Sequence, residues 1–384
     1  MASTADSHRL DHVDAMRAVA VLLVMWTHYA ELYAHLAGSQ FALDAVQRRF
    51  DFGRIGVVIF FCISGMLIPT SLRAGTPGAA RRFVIRRVFR LYPAFWLSLP
   101  IGYFAYWALF GRQMPMAGLA ANLTMIPTAF GREPVMAHYW TLETELYFYA
   151  LCLALHTFGG LHRMRALCLA CLGLCAAFVA VSALKLLPAD ALGQYKGLPY
   201  HLAIMFWGAC FRKAYDDPYA RVSLGRVSIS NRTAVLAVSA VVAGLAVLMA
   251  GVDLLHRDYA HVSTSLGYLF GLAAFALLAT VLRIHARGFA RLGEISYSVY
   301  LLHGVPLYFI YWFCRMHDLT GGPLSLYMAL TVPPALALAW ASYRLVETAG
   351  IRAGHALSRA DARARPGVAA RAPGPGLDAA RDDA

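Results

Sequence analysis

The sequence predicts an all-α, polytopic integral membrane protein with about ten transmembrane helices. Of its 384 residues, 59% are hydrophobic and 14% are charged, whereas soluble domains carry roughly 25% charged residues. A water-soluble enzyme is therefore excluded, because so apolar a surface would aggregate in water. The apolar residues also fall into runs of about 20, the length that crosses a hydrocarbon core about 30 Å thick.

Ten apolar runs, each bounded by charged residues, Pro or Gly, are the expected spans. They lie near residues 17–37, 54–72, 91–110, 139–158, 166–184, 198–211, 233–250, 262–282, 293–313 and 323–345. The run near 198–211 is the shortest of them. An even number of spans places both termini on the same side of the membrane.

The basic residues predict which side that is. The chain carries 34 Lys and Arg against 21 Asp and Glu, a formal net charge of +13. With the N-terminus inside, 25 of the 34 basic residues lie on the cytoplasmic side, where membrane proteins concentrate them. Both termini are therefore expected in the cytoplasm. No basic stripe is interleaved with aromatic residues, so nucleic acid is not an expected partner.

The composition changes near residue 349. Residues 349–384 are rich in Ala, Arg, Pro, Gly and Asp and show no apolar period. We therefore expect a disordered cytoplasmic tail after a transmembrane domain of residues 1–348. The seven cysteines lie in or beside apolar runs, so neither a disulfide framework nor a metal site is expected.

The first span carries an arginine and a histidine on one helical face. Arg17 opens the span and His28 follows eleven residues later. Eleven residues at about 100° each return to within roughly 20° of the same direction, about 16 Å further along the axis. With Arg17 at the inner interface, His28 lies near the midplane, where an ionisable side chain indicates function. The alternative is a histidine bonded by a neighbouring helix.

An arginine cluster precedes the third span. Arg86, Arg87 and Arg90 lie on adjoining parts of one helical face. Guanidinium groups bind phosphates well, so the cluster is a candidate phosphate site. The alternative is a topology signal, because basic residues collect at the cytoplasmic interface.

The fourth span carries two acids at depth. Glu143 and Glu145 would lie about 6–9 Å below the outer boundary if the span enters from the outer side. Function is one interpretation of these acids, and pairing with an arginine is the other. Trp140 and its aromatic neighbours fit an interfacial belt.

The ninth span carries a polar face. Ser296, Tyr300 and His303 follow i, i+4, i+7 spacing, so they line one side of a helix. His303 would lie about 15 Å from the cytoplasmic edge, level with His28. Two histidines at one depth on different helices predict a shared polar cavity.

Five short motifs follow one another along the chain. They are Asp14-x-x-Arg17 with His28, Phe60-Phe61-x-x-Ser64-Gly65, Phe83-x-x-Arg86-Arg87-x-x-Arg90-x-x-Pro93, Trp140-Thr141-Leu142-x-x-Glu145-x-x-Phe148-Tyr149, and Ser296-Tyr297-Ser298-x-Tyr300-x-x-His303. Together they resemble the membrane acyltransferase-3 family over roughly residues 10–348. Thr141 stands where that family usually has serine, and Cys62 lies between the paired Phe and the Ser-Gly, but neither departure removes an ionisable group.

The resemblance implies a multi-pass O-acyltransferase of the bacterial inner membrane. Such an enzyme moves an acyl group, most often acetyl, from cytoplasmic acyl-CoA to a hydroxyl of a cell-surface or exported glycan. Acyl-CoA is then a donor substrate, with no tightly bound cofactor and no metal, and the partners are membrane lipid, acyl-CoA and the glycan or glycosylated acceptor. The chain is expected to be a stand-alone form, without the C-terminal hydrolase-like domain of some members.

Roles for the site residues follow from the resemblance and from their expected depth. The catalytic set is His28, Arg17, Glu145 and His303, the CoA phosphates are held by Arg86, Arg87 and Arg90, and the substrate contacts are Trp140, Tyr300 and Ser296. His28 would either deprotonate the acceptor hydroxyl or carry the acyl group. Glu145, between His28 and the outer face, would orient the acceptor or the imidazole. His303 and Tyr300 would stabilise the oxyanion.

Two other functions stay open on the sequence. One is O-acylation of a glycosylated secondary metabolite such as a macrolide. The other is a transporter or flippase of a glycan or lipid, in which midplane histidines and acids relay protons or bind cargo. Many transporters contain internal repeats with matching broken spans, and the sequence shows no internal repeat.

Overall fold

The chain folds into a helical bundle, seen here in a computed structural model that describes residues 4–37, 50–184, 197–224 and 227–364. The helices are α1 (Thr4–Ala37), α2 (Phe52–Ser71), α3 (Ala79–Tyr106), α4 (Met116–Asn122), α5 (Trp140–Thr157), α6 (Met164–Ala183), α7 (Leu198–Asp216), α8 (Asn231–Leu255), α9 (Tyr259–Thr280), α10 (Arg287–Glu294), α11 (Ser296–Leu302), α12 (Gly304–Met316), α13 (Leu324–Ser342) and α14 (Thr348–Ala364). Three 3₁₀ turns (Ala108–Phe110, Pro127–Phe130, Ala137–Tyr139) lie between α3 and α5, and a π turn (Tyr343–Glu347) joins α13 to α14. The all-α prediction therefore holds for nearly all of the described chain. The exception is a short antiparallel hairpin of β1 (Arg221–Leu224) and β2 (Val227–Ser230).

Five helical segments in the described ranges are long and apolar enough to cross a membrane, judged by length and composition. They are Phe52–Ser71, Met164–Ala183, Asn231–Leu255, His261–Thr280 and Leu324–Arg359. A membrane protein is thus supported, with fewer candidate spans than the ten expected. Acidic side chains lower the apolar character of α5, and the expected ninth span is divided among α10, α11 and α12.

Helix α2 lies at the centre and packs against α1, α7 and α9. Its crossing with α7 is held by two glycines. A Cβ added to Gly65 would lie 1.9 Å from the carbonyl oxygen of Met205, and one added to Gly208 would lie 2.5 Å from that of Cys62. The two backbones therefore touch, which is how helices pack where small residues line a membrane interface.

The connection between α3 and α5 folds back into the bundle. The side chain of Asn122 accepts a hydrogen bond from the backbone N–H of Val135 and donates to the carbonyl of Glu133, both at 2.9 Å. The indole of Trp107 donates to the carbonyl of Val135 at 2.8 Å. These bonds bring the chain inward before α5 begins at Trp140. The start of α5 consequently lies inside the protein, where an outer boundary was expected.

The expected disordered tail is wrong for residues 349–364, which form most of α14. The helix packs against α3 through small residues spaced four apart. A Cβ on Gly350 would lie 2.3 Å from the carbonyl oxygen of Phe89, and Ser358 is fully buried. A search for apolar periodicity does not reveal such a face, because Gly and Ser are not large apolar residues. They let the two helix backbones approach closely instead. The rest of the expected tail, residues 365–384, lies outside the described residues.

Candidate active site

A polar cavity of about 290 Å³ lies among α1, α2, α3, α5 and α11. Its polar and charged lining residues are Arg17, Ser64, Arg87, Arg90, Thr141, Glu145, Tyr149, Ser296, Tyr297 and Tyr300. Six of the residues selected from the sequence therefore share one wall. Four separate helices contribute them, so the cavity is a product of the tertiary packing.

Glu145 accepts two hydrogen bonds at this cavity. Ser64 donates to its carboxylate at 2.9 Å and the Tyr149 hydroxyl donates to the same oxygen at 2.7 Å. Glu145 lines the cavity together with Arg17 and Arg90, which corrects its expected place between His28 and the outer face. The reason is that α5 begins inside the protein. Glu145 lies five residues after the first residue of α5, Trp140, and is therefore about 7.5 Å further along the helix, on the side of the arginines.

The neighbouring acid Glu143 serves the connection before α5. Its carboxylate accepts from the backbone N–H groups of Thr128 at 3.4 Å and Ala129 at 3.2 Å, and from the Tyr147 hydroxyl at 2.7 Å. Glu143 is 1% exposed. Glu143 therefore bonds to loop amides and a tyrosine hydroxyl, which supports the structural interpretation of this acid.

A second cavity, of about 520 Å³, opens beside the first and is strongly basic. We call it the basic cavity. Its basic lining residues are Arg73, Arg82, Arg86, Arg87, Arg90 and His355. Arg87 and Arg90 line both cavities, so the two spaces meet at these side chains. The Arg87 guanidinium lies 5.4 Å from the ring centres of Phe83 and Tyr149, in cation–π geometry.

Three histidines cluster beside Tyr300, outside the lining of the polar cavity. The ring centres of His28 and His303 are 5.2 Å apart, those of His28 and His138 are 5.8 Å apart, and those of His138 and His303 are 4.5 Å apart. His138 and His303 are buried, whereas His28 is partly exposed. The Nε2 atoms of His138 and His303 have no hydrogen-bond partner among the described residues. These two nitrogen atoms are therefore available within the cluster to bind a proton or form a hydrogen bond.

His303 stands at the break between α11 and α12. Its Nδ1 lies 3.2 Å from the carbonyl oxygen of Val299 and 2.9 Å from that of Tyr300, which favours a proton on Nδ1. The Tyr29 hydroxyl donates to the His303 carbonyl at 3.0 Å. The broken helix is thus tied to α1 one residue beyond His28, and this brings the two predicted histidines together.

The three histidines are also the group that offers metal ligands among the described residues. One nitrogen of each lies within 4.8 Å of the others. Around a tetrahedral zinc ion, with Zn–N bonds of about 2.0–2.1 Å, ligand nitrogens are only about 3.4 Å apart. An ion bound by all three imidazoles would therefore need their nitrogens closer together than the 4.8 Å that bounds their present separations.

Tyr300 separates the polar cavity from the histidines. Its hydroxyl accepts from Thr141 at 2.6 Å and donates to the His138 carbonyl at 2.5 Å. Its ring centre lies 5.3 Å from that of His138 and 6.0 Å from that of His303. Tyr300 therefore lines the cavity on one side and touches the cluster on the other.

Trp140 is the predicted substrate residue that the structure does not bring to either cavity. Its ring centre lies 5.0 Å from that of His201 and 6.0 Å from that of Phe61. The Arg54 guanidinium lies 5.7 Å from its ring centre. Trp140 thus belongs to an aromatic group on another side of α5, and its neighbour Thr141 lines the polar cavity.

The comparison with protein families decides what this chain is. The model of a family described as an acyltransferase domain matches residues 10–344. The chain belongs to the acyltransferase-3 family. It is therefore an enzyme that transfers acyl groups other than aminoacyl groups, and a membrane protein. No curated protein and no solved structure matches the chain significantly.

The acyltransferase-3 match contains every site residue selected from the sequence, whereas α14 lies beyond it. Sequence reasoning missed His138 as a member of the site. It lies in a 3₁₀ turn before α5, where it cannot be assigned a helical face. The signal that could have found it is its place two residues before Trp140, at the start of a polar motif.

Proposed function

We propose that this acyltransferase moves an acyl group, in the simplest case acetyl, from cytoplasmic acyl-CoA to a hydroxyl of a cell-surface or exported glycan. One observation carries the proposal. The basic cavity, the Arg87 and Arg90 side chains, the polar cavity, Tyr300 and the three histidines follow one another through the bundle. This order suits a donor with a phosphate-rich end and a reactive thioester end.

The donor's two ends have different chemical needs. Arginines bind phosphates by paired charge-assisted hydrogen bonds, and Arg86, Arg87 and Arg90 all line the basic cavity. The neutral pantetheine arm would pass Arg87 and Arg90 into the polar cavity. The thioester would then approach Tyr300 and the histidines behind it, which requires the Tyr300 ring to move aside.

His28 is the imidazole best placed to meet substrate, because it is partly exposed while His138 and His303 are buried. As base, it would accept the acceptor's hydroxyl proton while that oxygen attacks the thioester carbonyl. The carbon–sulfur bond then breaks, an ester forms, and the proton passes from His28 to the CoA thiolate. His303 would stabilise the oxyanion or orient His28. Glu145 and Arg17 would line the part of the polar cavity through which the donor enters.

The same proposal includes the membrane arrangement. The expected ten spans correspond to α1, α2, α3, α5, α6, α7, α8, α9, the broken α10–α12 unit and α13. Both termini would lie in the cytoplasm of a bacterium, with the enzyme in its inner membrane. The basic cavity supports this orientation, because acyl-CoA is a cytoplasmic donor and the cavity is lined by the arginines of the inner segments.

The test follows the acyl group from labelled acetyl-CoA in membranes that contain the full chain. His28→Ala should abolish transfer to an added glycan acceptor while the protein remains in the membrane at normal levels. His256→Ala, which replaces an exposed histidine far from the motifs, is the control and should keep full activity. Transfer that survives His28→Ala would contradict the role of His28. Acetyl-CoA that stays intact with wild-type protein would contradict the proposed donor.

A further inference from the structure

Helix α14 packs along the arginine-bearing half of α3. Gly350 and Gly354 both face Phe89, where added Cβ atoms would lie 2.3 Å from its carbonyl oxygen and 2.8 Å from its Cβ. Ser358, four residues further on, is 0% exposed. The three small residues form one face of α14, which we call the small-residue face. Close packing on this face fixes where the rest of α14 lies relative to the arginines.

Ser358 holds one of these arginines directly. The Nε–H of Arg86 donates to the Ser358 hydroxyl at 3.0 Å, and that hydroxyl donates to the carbonyl of His355 at 3.0 Å. Arg86 is otherwise a long side chain on an exposed helix position, whose guanidinium would lose much rotamer freedom on binding a ligand. The bond to Ser358 restricts Arg86 beforehand, at the wall of the basic cavity.

Helix α14 also supplies part of that wall. Ile351 and His355 line the basic cavity, opposite the arginines of α3 and the end of α2. Every charged side chain that lines this cavity in the described part of the chain is basic. The volume of about 520 Å³ lies within the roughly 300–1,000 Å³ typical of small-molecule sites. The cavity therefore fits a compact ligand with several negative charges.

We propose that α14 completes the binding site for the nucleotide end of acyl-CoA, with Ser358 positioning Arg86 and His355 contacting the phosphates. The identity of the ligand rests on the function proposed above. An anionic lipid headgroup carries similar phosphate chemistry. CoA is favoured because the basic cavity shares Arg87 and Arg90 with the polar cavity, so that its arm has a polar space to enter.

The experiment uses the full chain in detergent. Binding of free CoA and of 3′-dephospho-CoA is measured by calorimetry, and transfer is measured with acetyl-CoA and with acetyl-pantetheine, which lacks the nucleotide. Ser358→Ala releases the Arg86 side chain, which must then be ordered when the ligand binds, so CoA binding should weaken by about three- to tenfold. KM for acetyl-CoA should rise by a similar factor, with kcat and the KM for acetyl-pantetheine unchanged.

Two further variants guard against effects of folding. His355→Ala removes a lining side chain without changing the small-residue face. It should likewise raise the KM for acetyl-CoA and leave the KM for acetyl-pantetheine unchanged. Leu357→Ala, on the exposed face of α14 at 48% exposure, is the matched control and should bind CoA as the wild type does.

The outcomes separate the two proposals. Equal losses with acetyl-CoA and acetyl-pantetheine, or unchanged CoA binding in both Ser358→Ala and His355→Ala, would overturn the role of α14. So would displacement of CoA by phosphatidylglycerol in mixed micelles at lower concentration than by 3′-dephospho-CoA, which would identify a lipid site. Wild-type protein that binds CoA but transfers no acyl group would contradict the proposed function and leave the assignment of α14 standing.

Discussion

Glu143 and Glu145 lie two residues apart on α5 in very different surroundings. Glu143 binds the backbone amides of the connection before α5, whereas Glu145 faces the polar cavity beside the arginines. Spacing alone does not distinguish them, because both would be acids at similar depth in an apolar run. The distinction comes from the tertiary fold, which turns one toward a loop and the other toward a cavity.

This pair gives a matched test of function against stability. Glu145→Gln keeps the shape of the side chain but removes its charge beside Arg17 and Arg90, so turnover should fall by roughly 10²-fold, a size typical of lost acid–base or electrostatic assistance. Glu143→Gln should instead lower the unfolding temperature, because charge-assisted bonds to the loop weaken. Initial rates and thermal unfolding in detergent measure the two effects. Normal turnover in Glu145→Gln would count against its place in the active site.

The histidines show what depth arguments can and cannot predict. The shared level of His28 and His303 followed from counting residues along two helices, and the structure brings their rings to 5.2 Å. Counting residues along a helix could not predict the position of His138, because His138 lies in a turn before α5. Its place depends on the inward path of the whole connection, which is fixed by distant contacts such as those of Asn122.

At the scale of the helix, the expected runs locate most elements, while their ends and breaks follow from packing. The run near 293–313 became α10, α11 and α12, with breaks at Ile295 and His303. Neither break has Pro at its centre. The contacts of Tyr29 with the His303 carbonyl and of Gly293 with the backbone of Asp14 hold this shape, and both involve residues more than 250 positions away in sequence.

The close α2–α7 crossing predicts that adding one methyl group at Gly65 destabilises the protein. Gly65→Ala would place a Cβ 1.9 Å from a backbone oxygen, so the helices must separate, at a cost of about 1–3 kcal/mol or more. Gly173→Ala is the control, because a Cβ there meets nothing within 4 Å and alanine stabilises a helix by roughly 0.5–1 kcal/mol over glycine. Thermal unfolding in detergent should show Gly65→Ala well below the wild type and Gly173→Ala at or above it. Equal unfolding temperatures would contradict the close crossing.

For the whole molecule, the composition predicted the membrane class and the order of the motifs predicted the family, which the family match confirms. The number of spans and the orientation depend instead on which helices actually meet lipid, and length and composition support five of them. Helices such as α5 carry polar groups that face inward cavities, and these groups reduce the apolar signal on which span prediction rests.

The proposed topology can be checked across α8. Tyr219 precedes this helix and Leu255 ends it, and the two side chains are 78% and 84% exposed. The seven native cysteines are buried, so single cysteines at these positions should dominate the labelling. In intact spheroplasts, a membrane-impermeant maleimide should label Leu255→Cys and spare Tyr219→Cys, with both labelled after permeabilisation. Labelling of both in intact cells would mean that α8 does not cross as proposed.

Tyr300 has a consequence for the cell that houses this enzyme. In the proposed arrangement, the polar cavity would open toward one face of the membrane and the histidines would lie toward the other, so protons could cross between them. The Tyr300 ring, fixed by Thr141 and the His138 carbonyl, interrupts that path between the two. With Tyr300 in this position, the proposed enzyme would hold a reactive site within the bilayer while the membrane stays an electrical insulator, and the energy stored across it would not be dissipated.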